Sequence, residues 1–407
     1  DYMLKLIKSA LIIGLIALPS VASTKKDSLK IYLDADFSNH FESSNSIVRG
    51  LKVALKTVDF KIKGRNIQIV RKDHRGNSAR SERHIKQFME DPNGLLMMSG
   101  IHSPPLLAHR KFINENKVLF LVPWAAAAPI TRFPSAENWI FRLSIDDSKA
   151  GKVIVDYAVK KGVKKPFLLL EKTGWGKSNE KTISSSLREN NIREFKIGWF
   201  DWNMKTAGAN ALIGNALNAK SDAIILVANA VEGKVIFEAL ISQPKEKRLP
   251  IYSHWGIIGG DFHKQLPHKQ RRKTDLRFIQ TKFSFIGKKL DPFEQEVFSS
   301  AKKLFPEIQT PEDILAPTGF IHAFDLGILL IEASRQVNFN DSISSVRESL
   351  RRALENIKGP IRGLVKVYKK PFSKFSKENL DAHEALGITD FTMARFGPSD
   401  EIILEEK

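Results

Sequence analysis

The sequence has no cysteine among its 407 residues. Disulfide bonds and thiolate metal sites are therefore excluded, and hydrophobic burial must stabilise the fold. A chain of this length is long enough for two domains that each bury their own core. Beyond residues 9–20, an apolar run of about a dozen residues, no other run approaches the about 20 residues that a membrane span needs.

The N-terminal segment has the pattern of a secretory signal peptide. Lys5 and Lys8 precede the apolar run, which ends in the small residues Val21-Ala22-Ser23. We therefore expect residues 1–23 to be a signal peptide and the mature protein to be exported. A retained N-terminal anchor is the alternative, whereas a lipid anchor is not expected because no cysteine follows the small residues.

Positive charge is abundant but not concentrated. The formal net charge is +19, with dense basic stretches at 245–248 and 269–273 and no aromatic residues interleaved with them. A nucleic-acid interface would concentrate its basic residues on one face. We expect no nucleic-acid partner, although the net charge would favour an acidic ligand or surface.

The phosphate-binding motifs are incomplete. Gly176-Lys177-Ser178 suggests a P-loop, but Glu171 occupies the position of its first glycine, where a carboxylate would repel phosphate. The dinucleotide motif Gly-x-Gly-x-x-Gly fails as well, because Asn179 stands in place of its third glycine. We predict no nucleotide cofactor.

Signatures of catalysis and of metal binding are also missing. In the stretch HEALG, Gly387 stands where a zinc-protease helix needs its second histidine, and His254, His263 and His268 have no ligand spacing. A Gly-x-Ser-x-Gly nucleophile motif is absent. We therefore predict no catalytic residue, no metal site and no enzyme activity.

What the sequence does contain is a repeated alternation of apolar strands and helices. The alternation of strands and helices begins at residue 30 and begins again after Asp146. This alternation predicts an α/β fold with two parallel sheets covered by helices on both faces, and ligands at the carboxyl ends of the strands. Strands are predicted at 30–33, 67–71, 95–99, 118–122, 167–170, 195–199, 223–227 and 250–253, and helices at 45–57, 80–90, 105–114, 150–160, 180–189, 207–217, 232–242, 292–304, 320–335 and 342–357.

The loops after four of these strands have the composition of a small-molecule site. The loop at 100–105 contains His102 and Ser103 before a helix start, where free backbone N–H groups suit a carboxylate. The loop at 123–129 is rich in alanine, which allows close approach to the main chain. The loops at 173–176 and 253–256 each carry a tryptophan between small residues. Together they predict a cleft with polar anchors on one side and aromatic walls on the other.

The sequence resembles the type I periplasmic binding proteins of branched-chain amino-acid ABC transporters over nearly the full mature chain. Several segments carry the resemblance by their order and spacing. They are KDHRGNSAR (72–80), SGIHSP (99–104), VPWAAAAPIT (122–131), FRLSIDD (141–147), LLLEKTGWGKSNEK (168–181), LVANAVEG (226–233), YSHWGIIGGDF (252–262), IQTKFSF (279–285) and HAFDLGILL (322–330).

The resemblance implies two Rossmann-like lobes joined by a hinge of three crossings, with a solute between them. Lobe one would take 24–143 with 284–358, and lobe two 144–283 with 359–407. Such a protein is periplasmic and monomeric, needs no cofactor, and delivers an amino acid or a similar small carboxylate or amide to an ABC permease. A ligand-sensing module of a receptor, built on the same fold, is the alternative.

The resemblance also implies roles for individual residues. Ser103 and the main chain of Ala126 and Ala127 would hold a ligand carboxylate, and Trp175 would close from lobe two. His102, His254, Trp255 and Asp146 complete the predicted ligand-binding set.

The acid that binds the ligand ammonium in leucine-binding relatives is missing. The loop Ser253-His254-Trp255 occupies its place. Asp34, Asp36, Asp146 or Glu171 would have to replace it, and the solute's side-chain class stays open.

Overall fold

The computed structural model describes residues 28–134 and 137–405. The predicted signal peptide, residues 1–23, lies outside the described residues. Within the described residues the chain forms two lobes, each built on a sheet with flanking helices. The predicted α/β fold class is confirmed.

The first sheet is built by the chain up to residue 142. Its elements are β1 (Leu29–Ala35), α1 (Phe41–Lys56), β2 (Lys61–Ile62), β3 (Arg65–Asp73), α2 (Ser78–Glu90), β4 (Gly94–Ser99), α3 (Ser103–Glu115), β5 (Phe120–Val122) and β6 (Ile140–Arg142). The strand order is β2-β3-β1-β4-β5-β6, parallel except for the β2–β3 pair. β4 is buried at every residue, as its apolar sequence requires in a sheet covered on both faces.

The second sheet follows with the same alternation. Its elements are α4 (Asp147–Lys160), β7 (Pro166–Glu171), α5 (Gly174–Glu189), β8 (Lys196–Phe200), α6 (Thr206–Asn218), β9 (Ala223–Val227), α7 (Ala230–Ile241), β10 (Ile251–Ser253), α8 (Phe262–Gln265), α9 (His268–Arg271) and β11 (Leu276–Thr281). These strands are parallel in the order β11-β10-β9-β7-β8, and β9 is fully buried.

The last part of the chain contributes helices to the first lobe and strands to the second. It contains α10 (Pro292–Leu304), α11 (Pro317–Ser334), α12 (Ile343–Asn356), β12 (Ile361–Arg362), β13 (Val367–Tyr368), β14 (Phe391–Phe396) and β15 (Ile402–Leu404). α11 packs on α1 and α12 contacts β4, so these helices belong with the first sheet. β14 pairs antiparallel with β11, and β15 with β14, so these strands extend the second sheet.

The segment between α12 and β14 stays close to the first sheet. The side chain of Asp325 in α11 accepts hydrogen bonds from the backbone N–H groups of Leu364 (2.6 Å) and Val365 (3.0 Å). Farther along, the N–H of Arg142 in β6 donates to the carbonyl of His383 at 2.9 Å. The chain returns to the second sheet only after these contacts.

α5 begins earlier than the sequence suggested. We expected a loop at 173–176 and a helix at 180–189, but α5 starts at Gly174. The Thr173 side chain caps it by accepting from the N–H of Gly176. A Cβ on Gly176 would lie 1.7 Å from the carbonyl oxygen of Glu171, so only glycine allows the helix to start this close to β7. Trp175 is consequently a helical residue and not part of an open loop.

Candidate functional site

A cavity of about 340 Å³ lies where the carboxyl ends of strands from both sheets face each other. The first lobe contributes Asp36, which follows β1, and His102, which follows β4. The second lobe contributes Trp202 after β8 and Glu232 in the first turn of α7 after β9. This is the position expected for a ligand site in parallel α/β sheets.

Three side chains of the first lobe converge in this cavity: Asp36, His40 and His102. The Oδ2 atom of Asp36 lies 3.3 Å from His40 Nδ1 and 3.3 Å from His102 Nε2. The two imidazole nitrogens are 3.2 Å apart. All three residues are buried, with exposed fractions of 1%, 7% and 4% in the order named.

The backbone holds this cluster in place. The other carboxylate oxygen of Asp36, Oδ1, accepts from the N–H groups of Ser38 (3.2 Å) and Asn39 (2.8 Å). His40 occupies the N-cap position of α1, and His102 that of α3. β1 and β4 are neighbours in the sheet, so the residues that follow them meet although His40 and His102 are 62 positions apart in sequence.

Burial and hydrogen bonding set the charges of the cluster. Burial alone would raise the pKa of Asp36, but hydrogen bonds from His102, His40 and the backbone of Asn39 outweigh it and hold this pKa well below its usual range. Burial, reinforced by the nearby charge of His40, lowers the pKa of His102 to about 3. At neutral pH the cluster therefore contains an ionised carboxylate and a neutral imidazole of His102.

Trp202 covers the cluster from the second lobe. Its ring centroid lies 5.2 Å from that of His102. Gly76 lies between the ring and the cluster, because an added Cβ there would lie 3.1 Å from the indole ring and 3.6 Å from Asp36 Oδ2. Gly76 has φ +69°, a left-handed conformation that favours glycine. Trp202 was not predicted as a site residue, because the loop after its strand was not among the four loops with the composition of a small-molecule site.

The groups predicted to bind a solute carboxylate are hydrogen-bonded to other groups of the protein. The hydroxyl of Ser103 accepts from the N–H of Ala127 at 3.2 Å, and the carbonyl of Ala126 accepts from the N–H of Asp147 at 2.9 Å. Across the lobes, the N–H of Ala128 donates to the hydroxyl of Ser178 at 3.1 Å. A solute carboxylate would have to replace the Ser103–Ala127 hydrogen bond.

The predicted aromatic residues of the second lobe lie next to one another, around an acid that sequence reasoning missed. Trp175 Nε1 donates to Asp147 Oδ1 at 3.2 Å, and His254 Nε2 donates to the same oxygen at 3.1 Å because its Nδ1 accepts from the N–H of Trp255. Asp147 Oδ2 is buried and has no hydrogen-bond partner among the described residues. Trp255 is only 1% exposed and packs against His322, with 5.5 Å between ring centroids.

Two of the acids proposed as replacements have structural partners. Asp146 caps α4 by accepting from the N–H of Ser148 at 2.9 Å, and it pairs with Lys149 and with Arg132, whose Nη2 lies 3.3 Å away. Burial would raise the pKa of Asp146, but these cations lower it. Asp34 is held by the hydroxyl of Ser81 and by His84 Nδ1, which lies 2.6 Å away. Neither acid lines the cavity.

One glutamate of the second lobe, Glu232, lines the cavity, and a second, Glu171, contacts the lining residue Asn229. Glu232 accepts from the N–H of Asn203 at 2.7 Å. Glu171, which is 1% exposed, accepts from Thr173 Oγ1 at 2.9 Å and from Asn229 Nδ2 at 3.0 Å. Burial is the main cause that raises the pKa of Glu171 to about 7. Glu232 was missed from sequence, although its place in the first turn of a helix after a strand is a usable signal.

A sequence model of the periplasmic binding proteins matches residues 35–238, which is half of the chain. The chain belongs to this family. Its fold is the type I periplasmic binding fold that the sequence motifs indicated. No curated protein matches the sequence. Among the described residues, no helix is both long and apolar enough to cross a membrane.

Solved structures of the same fold cover nearly the whole chain. A type 1 periplasmic binding protein from Bordetella pertussis Tohama I superposes with a TM-score of 0.77 at 16% identity, covering 93% of this chain and 100% of that one. The leucine-binding protein LivK from Thermotoga maritima gives 0.72 at 13% identity, with coverages of 93% and 98%. An ABC-transporter solute-binding protein from R. palustris in complex with benzoate gives 0.71 at 15% identity, also with 93% and 98%. At these identities the likeness establishes the fold.

Proposed function

We propose that this protein is the solute-binding component of an ABC importer and captures a small solute between its two lobes. The cavity shared by the strand ends of both lobes carries this proposal, because a solute there contacts both lobes and thereby favours their closure. Family membership supports it.

We propose an amino acid or a similar small carboxylate or amide as the solute. A cavity of about 340 Å³ is small, and both lobes contribute polar side chains to its lining. Ser103, Ala126 and Ala127 do not line this cavity in the present arrangement of the lobes. We keep them as candidate carboxylate contacts because Ser103 directly follows His102, which does line it. Glu232 is the acid that we assign to a solute ammonium group, in place of the one missing near Trp255, because it is buried and faces the cavity.

We propose that the hinge crosses near 143–147, near 281–284 and near 386–390. The first two positions match the lobe bounds that the family resemblance implies, which placed the third change of lobe between residues 358 and 359. The contacts of residues 364–385 with Asp325 and Arg142 favour the later position. Lobe two would then comprise 144–283 and the C-terminal strands, and lobe one 24–143 with 284–385.

We further propose that the protein is exported to the periplasm, acts as a monomer, catalyses no reaction and delivers its solute to a membrane permease. The structures of transporter-associated proteins with this fold support this reading. A ligand sensor with the same fold would bind solute equally well but would not restore uptake.

Mass spectrometry of the solute released from purified, mildly denatured protein tests the proposal. Calorimetric titration of the emptied protein with that compound should then give saturable 1:1 binding. As a control, heat-unfolded protein should show none. If no amino acid, small carboxylate or amide binds, the solute-binding function is wrong. Uptake by cells that lack the protein, with and without its gene restored, distinguishes transport from sensing.

A further inference from the structure

The side chains of Asp36, His40 and His102 bring three potential metal-ligand atoms together at one centre. Each imidazole nitrogen has one in-plane position, which holds either a proton or a lone pair. If His40 Nδ1 and His102 Nε2 are both protonated, both donate to Asp36 Oδ2, and two N–H groups of like polarity lie side by side at an N–N distance of 3.2 Å. If either is unprotonated, its lone pair faces the Asp36 carboxylate at 3.3 Å. One positive ion at the centre would satisfy all three contacts at once.

We propose that Asp36, His40 and His102 form a binding site for a divalent transition metal of the Zn²⁺ class. Zinc binds imidazole nitrogen and carboxylate oxygen at about 2.0–2.2 Å in a tetrahedron, whose ligand atoms are then about 3.3–3.6 Å apart. The separations here are 3.2, 3.3 and 3.3 Å. Ca²⁺ and Mg²⁺ prefer all-oxygen ligand sets, so two imidazoles select against them.

The surroundings of the cluster suit a bound cation. The backbone N–H groups of Ser38 and Asn39 engage Asp36 Oδ1 and leave Oδ2 directed at the two imidazoles. Second-shell contacts of this kind orient metal ligands. The three ligand atoms lie within 4.8 Å of one another, and this is the one group of at least three such side chains found among the described residues.

The site has three protein ligands, so a tetrahedral cation keeps a fourth position. All three residues line the interlobe cavity, and this position therefore opens toward it. Its ligand is an amine or carboxylate group of the captured solute, a step that rests on the proposed solute-binding function. The cation would belong to lobe one, and closure of Trp202 over it would hold the solute in place.

Calorimetric titration of metal-stripped protein with ZnCl₂ tests the site without any solute. We expect one Zn²⁺ per chain, and affinity at least 100-fold weaker in His40→Gln, His102→Gln and Asp36→Asn, because even second-shell changes cost about 10–100-fold. His84→Gln is the matched control, since His84 pairs with Asp34 in the same lobe at 2.6 Å. It should bind zinc like the wild type. Thermal unfolding in the absence of metal verifies that each variant is folded.

Absence of saturable zinc binding to the wild type, or unchanged binding in the three cluster variants, overturns the metal site.

The open position is tested separately by loading Co²⁺ and adding glycine, an amine-carboxylate chelator. A shift of the visible Co²⁺ absorption supports an accessible position, and an unchanged spectrum contradicts it. If the protein binds zinc but no solute, only the proposed solute-binding function is wrong. If it binds a solute but no zinc, only the metal site is wrong.

Discussion

Glu171 shows how the position of a single carboxyl group determines its chemistry. In the sequence it excludes a P-loop, and in the structure it is a buried acid whose pKa is raised to about 7. Its ordinary value is 4.5, so folding takes up a proton between these two pKa values. Its contribution to stability is therefore present below pH 4.5 and is lost as the pH rises through 7.

We predict that Glu171→Gln makes the protein more stable at pH 8 but not at pH 4, because glutamine resembles the protonated acid. The difference in unfolding free energy should grow to at most about 3 kcal/mol, since each pKa unit corresponds to about 1.4 kcal/mol. Urea unfolding across this pH range measures it. Glu189→Gln, an exposed control on α5, should show no such trend. A difference that does not vary with pH would contradict the prediction.

Ser103 contributes to the stability of the fold, and we propose that it also binds the solute. Ser103→Ala leaves the buried N–H of Ala127 without its acceptor, which should lower the unfolding free energy by about 1–3 kcal/mol. If the hydroxyl also binds the solute carboxylate, affinity should fall by a similar free energy in calorimetry. Ser185→Ala, at an exposed position of α5, is the control and should change neither quantity by more than about 0.5 kcal/mol. Lower stability with unchanged affinity would limit Ser103 to a structural role.

At the scale of the elements, the packing of α1 on α11 depends on a glycine. A Cβ on Gly50 would lie 2.1 Å from the carbonyl oxygen of Phe320, so the two helix backbones touch there. Backbone atoms cannot move aside as a side-chain end can, and the helices would have to separate.

Gly50→Ala should therefore destabilise the protein by about 3 kcal/mol, at the upper end of ordinary overpacking. Gly214→Ala in α6 is the matched control, because its Cβ would meet nothing within 4 Å. It should stabilise by up to about 1 kcal/mol through better helix propensity. Urea unfolding of both variants measures the two effects. Equal changes in the two variants would show that propensity, and not helix contact, decides the outcome.

In the molecule as a whole, the two lobes are in contact through closely packed residues. Gly259 of the second lobe faces Ile101 of the first, and an added Cβ would lie 2.1 Å from Ile101 Cδ1. Ile101 could rotate away from a methyl group but not from a large side chain. This contact requires the closed arrangement of the lobes.

We predict that Gly259→Leu holds the lobes apart. Small-angle X-ray scattering should give a larger radius of gyration than for the wild type, and solute affinity should fall at least about 10-fold because closure becomes unfavourable. Gly214→Leu, at an uncrowded position of α6, should leave both quantities unchanged. An unchanged radius of gyration for Gly259→Leu would show that the contact does not limit closure.

The class of fold and the positions of most helices and strands could be predicted from the sequence. Runs such as those of β4 and β9 are apolar throughout because a central parallel strand is covered on both faces, and this local requirement is visible without the structure. The helix predicted at 292–304 coincides with α10, whose Asp291–Glu294 capping box marks its start. β14 was not predicted, since this antiparallel strand has Thr392 and Arg395 among its apolar residues and lacks a continuous apolar run.

Which side chains meet could not be predicted from the sequence, because it depends on the three-dimensional packing of the elements. Asp36, His40 and His102 converge because β1 and β4 are neighbours in the sheet, an order that spacing along the chain does not encode. Trp202 and Glu232 reach the same cavity from the other lobe. Local patterns record the burial of each segment, whereas a site between lobes depends on sheet order and on lobe closure, which arise from packing over the whole chain.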